Sequence, residues 1–202
     1  MPPETQATLR VRASDELRQA ALEQFATVGF AATSLQQIAD HAGYAKSSVL
    51  YHYGSKEALL EAAIGPAIHE FELVLDRYLG GFAGGRRGAL VGSVVDLLVD
   101  HRLAVHIFIL QGPSLSEVPI IARANAAVRR LAEAVSRERE SLDEQIRFGI
   151  ALGGAAYLLT AGRLFSDDAL PSDDELRGVL HAVLGELLLP AAGRASTITT
   201  TD

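Results

Sequence analysis

Residues 25–57 read FATVGFAATSLQQIADHAGYAKSSVLYHYGSKE, and the order of caps, glycines and apolar positions in this stretch decides the fold. Thr33 followed by Gln36 has the spacing of a capping box, which predicts a helix starting at Thr33. Leu35, Ile38, Ala39 and Ala42 then share one helical stripe, and Gly43 suits the left-handed backbone of a sharp turn. A second short helix is expected from Lys46 to Tyr53, with Val49, Leu50 and Tyr53 inward and Lys46, Ser47, Ser48, Tyr51 and His52 outward. Two short helices around a glycine turn make a helix-turn-helix, whose second helix approaches base edges in the major groove of duplex DNA. The same spacing also serves an ordinary packed bundle, in which Lys46, Tyr51, His52 and Lys56 are plain surface groups.

Upstream, Leu17, Ala20, Ala21, Phe25 and Val28 recur at three- and four-residue spacing, with Ser14 as the expected N-cap and Gly29 as the stop. Arg10 and Arg12 fall before that helix, in what reads as a flexible arm able to follow phosphates or a minor groove, or simply to stay solvated. Downstream, Ser55 is expected to cap a long helix running from Lys56 through Leu59, Ile64, Ile68, Phe71, Leu75 and Tyr78. Pro66 is expected to bend or break it, and Gly80 to Gly85 to form a loop. Helical spacing continues over 90–110, 118–139, 143–164 and 173–189. Arg129, Arg130, Arg137 and Arg139 among Glu133, Glu138 and Glu140 read as a salt-laced exposed face. The fold class is all-α: a three-helix head over 10–55, a larger helical body over 56–190, and a small polar tail over 191–202 expected to be disordered.

Composition narrows the function. The absence of cysteine excludes disulfides and thiolate metal sites. No signal peptide is read at the start and no apolar run reaches the roughly 18 residues of a membrane span, the best candidate, Phe148 to Leu164, being interrupted by Gly153, Gly154, Thr160 and Gly162, so a cytosolic protein with no membrane partner is expected. The net charge of −7 is unusual for a nucleic-acid binder. The first 60 residues carry five Lys/Arg against six Asp/Glu, so non-specific attraction to phosphates is weak and affinity must come from directed contacts and a dimeric arrangement.

Phe25, Gly29, Phe30, Thr33, Ser34, Ile38, Ala39, Ala42, Gly43, Lys46, Tyr51, His52, Tyr53, Ser55, Lys56, Glu57 and Leu59 resemble the N-terminal signature of the TetR family of bacterial transcriptional regulators. The likeness covers about 50 residues. It implies a three-helix DNA-binding head on a helical ligand-binding and dimerisation body, acting as a homodimer that represses from a double-stranded DNA operator until a small-molecule effector binds. It also implies phosphate contacts for Thr33 and Lys56, and base and backbone contacts for Lys46, Ser47, Ser48, Tyr51 and His52. Leu50 departs from the pattern, since the family commonly has a phosphate-touching tyrosine there, and Tyr44 is bulkier than usual.

In the body, Phe71, Leu75, Tyr78, Leu98, His101, Phe108, Ile109 and Phe148 are candidate walls for a small hydrophobic or aromatic effector, with Tyr78 and His101 as its polar contacts. Each also suits a plain core position. Ile146, Gly149, Ile150, Gly153 and Tyr157, with Leu176, Val179, Leu180, Val183, Leu184 and Leu187, are the candidate dimer interface. Periodicity alone leaves them equally suited to a monomer's core; the resemblance implies a four-helix bundle between two copies. No Ser-His-Asp order, zinc spacing or phosphate loop appears, so no cofactor or metal is expected. An enzyme or ligand carrier that has kept a helix-turn-helix head is the weaker alternative.

Overall fold

A computed structural model describes residues 6–80, 86–138, 141–160 and 172–188. Among them are nine α-helices and one 3-10 turn. The head is α1 (Gln6–Thr27), α2 (Leu35–Ala42) and α3 (Lys46–Tyr53). The body is α4 (Lys56–Gly80), α5 (Arg86–Asp100), α6 (Arg102–Gln111), the 3-10 turn Gly112–Leu115, α7 (Pro119–Glu138), α8 (Leu142–Thr160) and α9 (Asp173–Leu188). The expected ends of the last two helices and the 191–202 tail lie outside the described residues. Among the described residues no single helix is long and apolar enough to cross a membrane.

Several local expectations need correction. α1 begins eight residues before Ser14, so Arg10 and Arg12 stand on a helix and not in an arm. Arg12 Nε donates to Glu16 Oε1 one turn later at 2.9 Å, a pairing only helical geometry allows. The capping box sits one residue later than read. Ser34 Oγ accepts from Gln37 N at 3.2 Å and Gln37 Oε1 accepts from Ser34 N at 2.8 Å, while Gln36 Nε2 donates to Asp40 on the outer face. α4 runs unbroken through Pro66. That proline is exposed, so the carbonyl it leaves without a donor faces water and the rest of the ladder holds. Gly80, read as loop, is the last residue of α4. The turn at Gly43 is as expected, with φ of 74° in the region a side chain would strain.

Two apolar cores organise the chain. The first joins Leu17, Phe25, Ile38 and Val49 of the head to Leu59, Leu60 and Ile64 of α4, Ile107 of α6 and Ile121 of α7. The second gathers Leu75 and Tyr78 of α4, Val95 of α5, Leu131 of α7, Phe148 of α8 and Leu184 of α9. α4 belongs to both, and the change of core falls between Ile68 and Val74. The boundary expected at 55/56 therefore falls inside a continuous core, which makes the head and the first half of α4 one packing unit. Arg123 on Glu72 and Arg130 on Asp76, at 2.9 and 2.7 Å, lace α7 to α4 across the exposed face read from the charge pattern.

Ser34→Ala should lower stability by about 1 kcal/mol, the usual loss of an N-cap. Gln36→Ala should cost no more than about 0.5 kcal/mol, the scale of an exposed i,i+4 pair. Urea unfolding of both variants separates the two registers of the capping box.

Candidate nucleic-acid interface and apolar cavity

α3 is held against the head by two side chains, Val49 and Tyr53. Val49 is fully buried, and Tyr53 Oη donates to Ser14 O at 2.7 Å with Ser14 Oγ 2.8 Å from the same hydroxyl. Lys46, Ser47, Leu50 and Tyr51 are exposed, and Ser48 and His52 are half-buried. Leu50, read as inward, is thus on the open face, 44% exposed, because Val49 and Tyr53 already fill the contact with α1. Arg10 lies over the Tyr51 ring at 5.3 Å, so α1 adds a cation beside the face that α3 presents. The N-cap position, Ala45, makes no side-chain bond to the first N–H groups of α3; Ser48 N donates to Ala45 O at 2.9 Å, and no side chain caps Lys46 N or Ser47 N. The helix end and the flanking cations form an anion-seeking edge.

Tyr44 braces this assembly. Its hydroxyl donates to Glu16 at 2.6 Å. That bond, helped by Arg12, lowers the pKa of the Glu16 carboxyl, and, against Arg12, it raises that of the Tyr44 phenol. The bond from His41, with a second from Gln19, lowers Glu23 in the same way.

Two residues expected at phosphates have structural work instead. Thr33 is 2% exposed, and its hydroxyl donates to Gly29 O at 2.7 Å, so its side chain is not available to DNA. Lys56 Nζ donates to Phe30 O at 2.8 Å and Thr33 O at 3.0 Å and sits 4.4 Å from the centre of the Phe30 ring. One ammonium N–H is left for a phosphate, and the other two hold the turn between α1 and α2.

The body encloses an apolar cavity of about 250 Å³ at the seam of the two cores. Of the expected wall residues, Phe71, Leu98, Phe108 and Ile109 line it. Leu75, Tyr78 and Phe148 do not; they are buried in the second core. His101 does not either: it precedes α6, with Nε2 2.8 Å from Glu70 Oε2. The expected polar contacts are therefore absent from the lining, in which no side chain carries a polar atom. Sequence reasoning passed over Ala67, Ala104, Ala124, Gly153 and Ala156, whose small size opens the space. Alanines are ordinary in any helix, so nothing in the pattern marks them. Val128 on α7 and Gly153 on α8 are lining residues that are also exposed, which places the cavity's opening between those helices.

On the outer side of α8 and α9, Ile146, Ile150, Tyr157, Val179 and Val183 are between 47% and 64% exposed. Gly149 and Gly153 are exposed among them. Leu176, Leu180 and Leu187 are half-buried against the second core, and Leu184, expected in the interface, is 2% exposed within it. The inner edge of the α9 stripe thus belongs to the chain's own core. Among the described residues no cluster of three His, Cys, Asp or Glu has the arrangement of a metal site.

Lys56→Met keeps the stem and removes the charge. It should lower the stability of the free protein by about 2 kcal/mol, the scale for a charged hydrogen-bond donor. A lysine that served phosphate alone would leave urea unfolding unchanged.

The sequence model of the bacterial regulatory proteins of the tetR family matches residues 17–63. The HTH-type transcriptional regulator RutR of Escherichia coli K12 is 49% identical over 45 residues, 22% of this chain and 21% of RutR, so the likeness spans about a fifth of that relative. Among solved structures, the ketosteroid regulator KstR2 of Mycobacterium tuberculosis superposes with a TM-score of 0.67 at 19% identity, over 86% of this chain and 93% of that one. SCO3833 of Streptomyces coelicolor, a TetR-family member, gives 0.66 at 22% over 86% and 89%. AibR, solved with isovaleryl coenzyme A and operator DNA, gives 0.64 at 20% over 89% and 100%. At these identities the superpositions establish the fold alone. The head, over residues 17–63, thus matches the bacterial regulatory proteins of the tetR family, and the chain has the fold of SCO3833, a member of that family.

Proposed function

We propose that the protein is a ligand-responsive transcriptional regulator, a homodimer that represses from an inverted-repeat operator and is released by a small apolar effector. The observation that carries this reading is the α3 face. A short helix with an uncapped N-terminus exposes Lys46, Ser47, Leu50 and Tyr51 on a head that shares its core with the cavity-bearing body. Ser48 and His52 flank that face, and Lys56 adds its remaining N–H at the edge. Five Lys/Arg in the first 60 residues are too few for tight non-specific binding, so two heads on two half-sites supply the affinity. The exposed apolar residues of α8 and α9 suit the second copy, as a four-helix bundle between protomers.

The cavity supports the effector class. The lining offers only apolar side chains, so an apolar occupant is favoured by the surface it buries. A buried polar group would find no partner among the lining side chains. The same lining offers no acid, base or nucleophile, which speaks against the enzyme alternative. An occupant at the seam of two cores bears on both at once, and a body conformation preferred by the effector can set the heads at a spacing that no longer fits successive major grooves.

Selection of genomic DNA fragments by the purified protein, at near-physiological salt, tests the regulator reading. One inverted-repeat motif is expected. No enrichment, in the presence or absence of extracted small molecules, overturns it. Given such a motif, Ser48→Ala and His52→Ala should change base preference within the half-sites. For the cavity, n-decanol at about a hundredfold over its Kd should stabilise the protein by about 2.7 kcal/mol, a rise in Tm of about 5–10 °C. Ala156→Phe, which fills the space, should abolish that rise in thermal denaturation.

A further inference from the structure

We propose that Gln111 is the positioning residue that seats the head on the body, giving the cavity a route to α3 through α6 and α1. The inference rests on the regulator reading for its consequence but on its own geometry for its substance. Gln111 is the last residue of α6. Its Nε2 donates to Phe25 O at 2.7 Å, and its Oε1 accepts from Phe30 N at 2.7 Å. Phe25 is in the last turn of α1, where a carbonyl lacks a helical donor. Phe30 follows Gly29, whose φ of 95° turns the chain out of the α1 direction. One amide thus completes two half-buried backbone groups on either side of the turn. Only a side chain that donates and accepts together can do so: glutamate loses the donor and methionine loses both.

The position of this amide gives it leverage. Val105, Phe108 and Ile109 line the cavity, and Gln111 lies two residues beyond Ile109 on the same helix, about 3 Å further along its axis. α1, which it grips, carries at its other half the Ser14 atoms that anchor Tyr53 of α3. A shift of α6 therefore reaches α3 through a chain of named bonds. α4 reaches the same turn separately, through Lys56.

The full-length chain, Gln111→Met and Gln111→Glu decide the matter, with Ser34→Ala as a variant that weakens the head without touching the body. Hydrogen exchange should show the Phe30 amide protected in the wild type and in Gln111→Glu, and released in Gln111→Met. On the selected operator, Gln111→Met should bind about tenfold more weakly, the scale of one or two net hydrogen bonds. Its penalty for operators with one base pair inserted or removed between half-sites should shrink, while base preference within each half-site stays the same. Gln111→Glu should fall between. A merely structural residue would behave as Ser34→Ala, with lower Tm and intact spacing discrimination, and that result overturns the proposal. So does a Phe30 amide that remains protected in Gln111→Met. If the wild type selects no inverted repeat, the regulator reading fails, and Phe30 exchange still decides whether Gln111 holds the turn.

Discussion

The turn between α1 and α2 is the constraint on which the rest of the molecule depends. It is short, it passes through a left-handed glycine, and it leaves backbone groups of Phe25, Phe30 and Thr33 that α1 and α2 cannot satisfy by themselves. Their partners come from far along the chain: Lys56 at the start of α4 and Gln111 at the end of α6. Half-buried polar groups are costly when unpaired, so the head adopts this seating only when both body helices are in place. Lys56 and Thr33 show how the requirement redirects residues. Groups that look fit to meet phosphate are largely spent on holding the turn.

The second organising fact is the seam. Ile64 and Ile68 of α4, with Ala104 and Ala124, belong to the core shared with the head, while Val94, Leu98 and Leu131 belong to the core of the body, and the cavity lies where the two meet. Interiors are close-packed, so a void of this size persists only because small side chains on several helices face it together. A core that is split and incompletely filled is easier to bias between arrangements than one that is continuous. Both helices that pin the α1–α2 turn also form walls of the void, which makes the head's seating sensitive to what occupies it.

Charge sets the character of the outward face of α3. With acidic residues in excess even in the head, the face relies on placement: an uncapped helix end, Lys46, Arg10 over Tyr51, and the remaining N–H of Lys56. Carboxylates close to it are engaged elsewhere. Glu16 accepts from Tyr44 and Arg12, and Glu23 is hydrogen-bonded to His41, so both carboxylates have partners within the head. Tyr44, bulky for its place in the signature, has its role in that bracing.

The all-α class, the helix-turn-helix, the outward set at Lys46, Ser47 and Tyr51, and the left-handed turn at Gly43 were legible in the sequence, because local physics decides them: apolar period, capping chemistry and glycine's freedom at positive φ. One-residue ambiguities were not resolvable locally. Thr33 and Ser34 are both good caps, and only burial of Thr33 against Gly29 chooses between them; Leu50 is apolar, and only the prior occupation of the inner face by Val49 and Tyr53 turns it outward. The cavity was the least legible feature. Phe71, Leu98, Phe108 and Ile109 could be read as walls, but Tyr78, His101 and Phe148 have the same periodicity and face elsewhere, and the alanines that create the space carry no signature. Non-local geometry settles such questions, since a void and a bridge like that of Gln111 depend on how helices distant in sequence cross, and no local pattern encodes the crossing.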